Sequence, residues 1–152
     1  MSKDPNFIVD LLEGVKSNQI SIDEAKAQLS HYDELGFAKI DLHRAKRQGF
    51  PEVIFGEGKT KEQINQIIES LTHHDNVILV TRIDETKAKF VLEHHPYLQY
   101  HSVANIVSTP IEEIKKSQNY ISILCAGTSD LAVAEEAALT AEVMGIQVKR
   151  FY

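Results

Sequence analysis

The sequence predicts an α/β protein that begins with a helical hairpin and ends in a strand–helix–strand unit. Apolar residues recur at helical spacing within residues 4–35. Short apolar runs then alternate with helix-like stretches up to residue 110. The last segment reads as strand, glycine turn, Ala-rich helix and strand. We therefore expect a helical hairpin (1–35), a small α/β domain (36–117) and the first βαβ unit of a larger parallel sheet (118–152).

Composition limits the classes of function. The 152 residues are 43% hydrophobic and 25% charged, which is typical of a globular protein. A formal net charge of −6 argues against nucleic-acid or anionic-membrane partners, which require a basic surface. No apolar run approaches the roughly 20 residues that cross a bilayer, and no secretory signal is evident. Cys125 is the sole cysteine, so it forms no internal disulfide. We expect a cytoplasmic protein.

The hairpin prediction depends on helix-start signals. Asp4 is placed to cap a helix that begins at Pro5. Ser21 and Glu24 have the spacing of a capping box, in which each side chain bonds the other residue's backbone. Gly36 is placed to end the second helix.

The central region predicts four strands and two helices. The helix-like stretches lie at about 60–72 and 84–94. Alternation of strands and helices favours a sheet that is at least partly parallel. The polar stretch 112–118 is expected to connect this region to the next, with one helical turn. The expected strands are Phe37 to Ile40, Val53 to Phe55, Val77 to Val80 and Val103 to Val107.

The last segment predicts one parallel βαβ unit. A strand from Tyr120 leads into the turn 126–130, a helix follows to Gly145, and a second strand ends the chain. The apolar faces of such a pair are normally covered by further strands and helices. We therefore expect this segment to open a larger domain and to favour self-association.

The stretch "GEGKT", residues 56–60, ends like a phosphate-binding P-loop. A P-loop requires a glycine five residues before Gly58, but Val53 stands there within a predicted strand. The spacing favours a tight turn whose Thr60 caps the next helix. The remaining alternative is an anion site of another kind, formed by Lys59 and Thr60 at the helix start.

Other polar residues give weaker signals. His73-His74 and His94-His95 are adjacent pairs that point in different directions, so we predict no metal site. Cys125 ends an apolar strand and is expected to be structural, since no activating base is evident. The basic segment 43–47 is expected to be either solvated or a docking surface.

The strongest site signal is Ala126-Gly127-Thr128-Ser129-Asp130. It follows a buried-type strand and opens a helix, at the carboxyl end of a parallel strand where open α/β sheets bind ligands. Gly127 allows backbone amides to approach a phosphate, and two hydroxyls add donors. Asp130 is placed either to accept from ribose hydroxyls or to cap the helix. The spacing leaves both roles open.

Two long motifs resemble the PurE-like carboxylase family, and within it LarB. The first begins at Arg47 and ends with Gly-Glu-Gly-Lys-Thr60, and the second begins at Cys125 and ends at Gly145. Leu79-Val-Thr-Arg82 also looks like this family. The PurE pattern Gly-Ser-x-Ser-Asp keeps Ser129 and Asp130 here but has Ala126-Gly127 in place of Gly-Ser, which favours LarB.

The resemblance implies a function in nickel-pincer nucleotide cofactor biosynthesis. LarB-like proteins carboxylate the pyridinium ring of nicotinic acid adenine dinucleotide with CO2 or bicarbonate as co-substrate. They also cleave its phosphoanhydride, releasing AMP. Ser129 and Asp130 are then implied to contact the phosphoribosyl group, with Gly127 and Thr128 shaping the loop. No tightly bound cofactor is implied.

The resemblance also implies that the chain is an N-terminal portion. The family nucleophile is a cysteine in a later part of the PurE-like domain, and Cys125 does not occupy its position. We therefore expect little turnover by this chain alone, and a homo-oligomer as in PurE-like enzymes. The alternatives are a PurE-type phosphoribosylaminoimidazole carboxylase or mutase of purine biosynthesis, and a non-catalytic nucleotide- or partner-binding module.

Overall fold

The computed structural model describes residues 5–29, 32–41, 44, 49–72, 77–113 and 117–152. The chain divides into two compact units, Met1–Tyr32 and Asp33–Tyr152. The predicted boundaries at residues 35–36 and 117–118 stay predictions. In the described part, no helix is long and apolar enough to cross a membrane.

The first unit contains the two predicted helices, α1 (Pro5–Lys16) and α2 (Ile22–Leu29). The helix start at Pro5 is confirmed, while Asp4 lies outside the described residues. The capping box is also confirmed. The Glu24 N–H donates to Ser21 Oγ at 3.2 Å, and the Ser21 N–H donates to the Glu24 carboxylate at 2.8 Å. These bonds satisfy two backbone donors at the start of α2 that the helix itself leaves free.

The predicted role of Gly36 as a helix terminator is wrong. A strand, β1 (Tyr32–Glu34), follows α2 along the chain, and β2 (Lys39–Asp41) pairs with it. Gly36 has φ of 78° in the turn between them, where Leu35 N–H donates to Ala38 O at 2.9 Å. A glycine at positive φ serves a hairpin turn as well as a helix end, so the residue alone does not separate the two.

A four-stranded mixed sheet forms the centre of the second unit. Its strands are β3 (Ile54–Phe55), β4 (Leu79–Thr81), β5 (Gln99–His101) and β6 (Ile106–Ser108), in the order β3-β4-β6-β5. β3 and β4 are parallel, whereas β6 is antiparallel to both β4 and β5. The prediction of a partly parallel sheet is confirmed. The strand predicted from Val103 begins only at Ile106, because residues 102–105 form the turn of an antiparallel hairpin.

Helices cover both faces of this sheet. The predicted helices are confirmed as α3 (Lys61–Thr72) and α4 (Glu85–His94). They pack on the face that carries Val80 and Val107. Neighbouring strand residues point to opposite faces, so Leu79 and Ile106 face the other way and form a second core with the helix of the βαβ unit. The first core also contains Ile54, Ile64, Ile67, Ile68, Leu71, Ile78, Ile83, Val91 and Leu98.

The βαβ unit has the predicted form. β7 (Tyr120–Leu124) and β8 (Gln147–Phe151) are parallel, with Ser122 opposite Lys149, and α5 (Leu131–Val143) connects them. Gly145 has φ of 80° just after α5, which confirms its predicted place as the helix terminator. A 3₁₀ turn at Ile111–Glu113 lies in the connecting segment, where one helical turn was expected. Leu139 and Val143 of α5 are buried against the central sheet.

Candidate functional site

The loop between β7 and α5 lies at the carboxyl edge of the parallel pair. Cys125 N–H donates to Phe151 O at 2.9 Å and extends the ladder by one residue. The chain then turns at Gly127, whose φ of 127° and ψ of 143° are a conformation that residues with a Cβ rarely adopt. A 3₁₀ turn, Thr128–Asp130, leads directly into α5. The sequence predicted this strand–turn–helix geometry.

Gly127, Thr128, Ser129 and Asp130 are all exposed. Asp130 occupies the N-cap position of α5, but its side chain makes no capping hydrogen bond. The Asp130 N–H reaches only Gly127 O, at 3.4 Å. Of the two roles that the sequence leaves open for this carboxylate, capping is therefore not used here. The exposed carboxylate and hydroxyls surround the start of a 13-residue helix, where the peptide dipoles favour an anion.

Cys125 borders this loop. It is partly exposed, and its thiol donates to Gly127 O over 3.4 Å between sulfur and oxygen. The bond links the strand end to the turn, which accords with the structural role expected for this residue.

The GEGKT stretch is a tight turn after β3. Gly56 N–H donates to Thr81 O at 2.8 Å, and a Cβ on Gly56 would lie 3.0 Å from that same oxygen. Thr60 caps α3 as predicted: its hydroxyl accepts from Gln63 N–H at 3.2 Å, and the Gln63 side chain accepts from Thr60 N–H at 3.0 Å. Lys59 Nζ donates to Phe55 O at 2.8 Å. Both candidate anion-site residues thus hold the turn and the helix start, and the anion site stays a prediction.

Arg82 links this turn to the βαβ unit. It follows β4 with a positive φ of 51°, and its guanidinium lies 3.4 Å from Glu57 and 3.5 Å from Glu136 of α5. The hydrogen bond with Glu57 and the charge of Glu136 raise the pKa of Arg82. The sequence placed Arg82 only in a family motif. Its ion pairs were missed, because they join positions 25 and 54 residues apart.

A groove lies between the β5–β6 hairpin and α5, and sequence reasoning missed it entirely. Its volume is about 670 Å³. Apolar groups of both elements line part of it, and seven polar side chains contribute the rest of its chemistry. Those polar side chains are Tyr100, His101, Ser102, Glu135, Glu142, Arg150 and Tyr152.

Arg150 is the centre of the polar cluster. Its two terminal nitrogens donate to Glu142 Oε1 and Oε2 at 2.8 and 2.7 Å, and its Nε donates to Glu135 at 3.1 Å. The bidentate bonds to Glu142 raise the pKa of Arg150. One guanidinium facing two carboxylates leaves the cluster with one net negative charge. Side chains of a strand alternate between its two faces, and Arg150 lies on the face of β8 that is covered by α5. Glu135 and Glu142 are two helical turns apart on the side of α5 that faces β8.

His101 adds a neutral ring to the groove. Burial lowers the pKa of His101, and this outweighs the raising effect of Glu112, Glu142 and Glu135. Its Nε2 lies 3.3 Å from Ser108 Oγ. The imidazole is therefore uncharged at neutral pH.

The histidines that the sequence singled out are structural where the structure describes them. His94 is exposed and its Nδ1 lies 2.9 Å from Phe90 O. His95 is buried, with Nε2 2.9 Å from Asn65 Oδ1.

His73 and His74 lie outside the described residues, as do four of the five residues of the basic segment 43–47. The exception, Arg44, lies 3.3 Å from Glu52. Among described residues, no group of acidic, histidine or cysteine side chains is arranged to hold a metal ion.

His95 is expected to make stability fall in mild acid. Burial lowers its pKa, with Glu69 raising it and His94 lowering it further. Below about pH 6.5, His95 binds a proton more readily in the unfolded chain than in the folded one. The stability that the neutral His95 contributes is therefore fully present above that pH and is lost as the pH falls. The loss is at most about 1.4 kcal/mol per pH unit for one proton. Urea unfolding between pH 7.5 and 5 measures it.

A His95→Gln variant is expected to show a shallower fall over the same pH range, since glutamine keeps a hydrogen-bonding group but does not titrate. His94→Gln, at the neighbouring exposed position, is the matched control. It removes only the smallest contribution to the pKa shift of His95, so its stability should fall nearly as steeply as that of the wild type. Parallel curves for wild type and His95→Gln would contradict this account.

Comparison with known proteins identifies the family of the chain. A family model for the LarB/PurE-like N-terminal domain matches residues 32–112, over half of the chain. The uncharacterized protein MJ0165 of Methanocaldococcus jannaschii is 33% identical over 153 aligned residues, which cover 94% of this chain. The chain spans only 59% of that relative's length. The chain belongs to the family that carries the LarB/PurE-like N-terminal domain.

Proposed function

We propose that the chain is the nucleotide-binding portion of a LarB-type pyridinium nucleotide carboxylase and hydrolase. The nucleotide is nicotinic acid adenine dinucleotide, and a phosphate of it rests on the loop 127–130. The observation that carries the proposal is the position of this loop, between the end of a parallel strand and the start of α5. Family membership supports it, because the resemblance implies this substrate.

The loop has the chemistry that a ribose phosphate requires. Gly127 has open space around its α-carbon, so backbone amides are accessible to a phosphate oxygen. The Thr128 and Ser129 hydroxyls supply neutral donors. The Asp130 carboxylate is exposed and makes no capping bond, so it is available to accept hydrogen bonds from the two ribose hydroxyls.

These residues bind and orient the nucleotide. Fixing the phosphoribosyl group holds the attached pyridinium ring in one place, which lowers the entropic cost of its later reaction with CO2 or bicarbonate. Carboxylation of the ring and cleavage of the phosphoanhydride would use groups that the resemblance places in the later part of the PurE-like domain. The role of this chain is positioning, in a cofactor-biosynthesis enzyme that acts as an oligomer in the cytoplasm.

Titration calorimetry with nicotinic acid adenine dinucleotide tests the proposal. Asp130→Ala is expected to lower the affinity at least about tenfold, since hydrogen bonds to a charged group contribute about 1.5–3 kcal/mol. Asp10→Ala removes the same charge from an exposed site on α1 and should leave the affinity unchanged. Equal affinities for wild type and Asp130→Ala would remove Asp130 from the site. Absence of binding to the wild type would overturn the proposed substrate.

A further inference from the structure

The groove beside α5 has no role in the proposal so far. We propose that it binds the adenosine half of the dinucleotide, while the loop 127–130 holds the phosphoribosyl group. This inference rests on the proposed function. It assigns a site for the base and ribose of a nucleoside, built from residues to which the sequence assigned no role.

The groove is continuous with the loop. Leu131, the first residue of α5, lines the groove and directly follows Asp130. Further lining residues of α5 recur at helical spacing, from Glu135 through Leu139 to Glu142. The groove therefore starts at the phosphate loop and extends along one side of the helix. A ligand anchored on the loop by a phosphate has this groove as its adjacent surface.

The charges of the groove favour a base without anionic groups. Arg150 is the one cation among the described residues that line it, and three of its five N–H donors are bonded to Glu135 and Glu142. A phosphate or the nicotinate carboxylate would meet a cluster with a net negative charge, whose one cation is already paired with two carboxylates. Adenine carries an exocyclic amine that donates to carboxylate or imidazole acceptors. The exocyclic amine thus gives the adenosine half acceptors on this surface.

The shape and the apolar walls fit a nucleoside. The volume of about 670 Å³ lies within the roughly 300–1,000 Å³ of ligand pockets. Leu139 and Ala104 form apolar wall, and the Tyr100 and His101 rings lie beside it. Apolar walls with a few fixed polar groups are typical of small-molecule sites, and flat rings suit stacking with a base.

The test uses the full chain, three ligands and a matched pair of variants. Val103 lines the groove and is 53% exposed, so Val103→Trp obstructs the groove without disturbing a core. Val133 lies on α5 outside the groove and is 66% exposed, and Val133→Trp is the control. Ser102→Trp obstructs the same groove from a neighbouring exposed position and guards against misfolding of a single variant.

Adenosine is expected to bind the wild type and the Val133→Trp control. Its affinity should fall about tenfold or more on Val103→Trp and Ser102→Trp, because the bulky side chain occupies the space of the base. Ribose 5-phosphate and nicotinic acid riboside should be unaffected by either groove variant. Equal adenosine affinities for control and groove variants, or no adenosine binding, would overturn the inference.

The ligands separate this inference from the proposed function. If ribose 5-phosphate binds in a manner that depends on Asp130 and adenosine does not bind, the loop site is supported and the groove site is wrong. If adenosine binds the wild type but not the groove variants, and ribose 5-phosphate does not bind, the loop site is wrong and the groove is still a nucleoside site. If Val103→Trp lowers the affinity for nicotinic acid riboside and leaves the affinity for adenosine unchanged, the assignment of the groove to the adenine half is wrong.

Discussion

Replacing Arg150 by methionine is expected to lower the free energy of unfolding by about 2 kcal/mol. The methionine removes the hydrogen bonds that three N–H groups of Arg150 make to Glu135 and Glu142, and it leaves two partly buried carboxylates without a cation. Full burial would make the cost larger, but water still reaches the cluster, since the Arg150 side chain is 29% exposed. Denaturant unfolding of the two proteins measures the difference.

Two further variants separate charge from packing. Arg150→Lys keeps the cation but cannot bond both oxygens of Glu142 in a fork, so we expect an intermediate loss. Adding Glu135→Gln and Glu142→Gln to Arg150→Met removes the unpaired charges and should restore most of the stability. If the triple variant is no more stable than Arg150→Met, uncompensated charge is not the cause of the loss.

Replacing Ile68 by alanine is expected to cost about 2–5 kcal/mol, the range for removing a large aliphatic side chain from a packed core. Ile68 is fully buried in the core between α3 and the central sheet. Alanine favours the helix by well under 1 kcal/mol, which does not offset the cavity. The measurement is again denaturant unfolding, monitored by far-ultraviolet circular dichroism.

Val133→Ala on α5 is the matched control for Ile68→Ala. It also shortens an aliphatic side chain within a helix of the same compact unit, but at a position that is 66% exposed. We expect a change within about 0.5 kcal/mol. Similar losses in the two variants would show that the burial of Ile68 does not govern this unit's stability.

Local signals in the sequence were enough to predict most of the elements. Residues 131–145 combine an Ala-rich run with a terminating glycine, and the helix ends as expected. Thr60 at the start of α3 and the Ser21–Glu24 pair are likewise read from spacing, because capping involves residues three positions apart. The site loop 126–130 was found in the same way, from one strand, one glycine and one helix start.

Long-range geometry was not predictable from those signals. The sequence predicts the strand Val103 to Val107 but gives no signal for β5, because residues 99–101 are polar and aromatic and lack an apolar run. The prediction that Gly36 ends a helix is wrong, because helix ends and hairpin turns use the same backbone conformation. The groove arises where α5 packs beside that hairpin, and the Arg150 cluster joins residues 8 and 15 positions apart on different elements. One sequence without its tertiary packing contains no signal for either.

The central claim is that the loop 127–130 is the phosphate site of a nucleotide. Titration of the ¹⁵N-labelled chain with nicotinic acid adenine dinucleotide, followed by amide chemical shifts, tests it most directly, because it reports on each backbone N–H separately. The account predicts the largest shift changes at Gly127, Thr128, Ser129 and Asp130, with saturation at one ligand per chain. Changes centred on Lys59 and Thr60, with the loop unmoved, would contradict it.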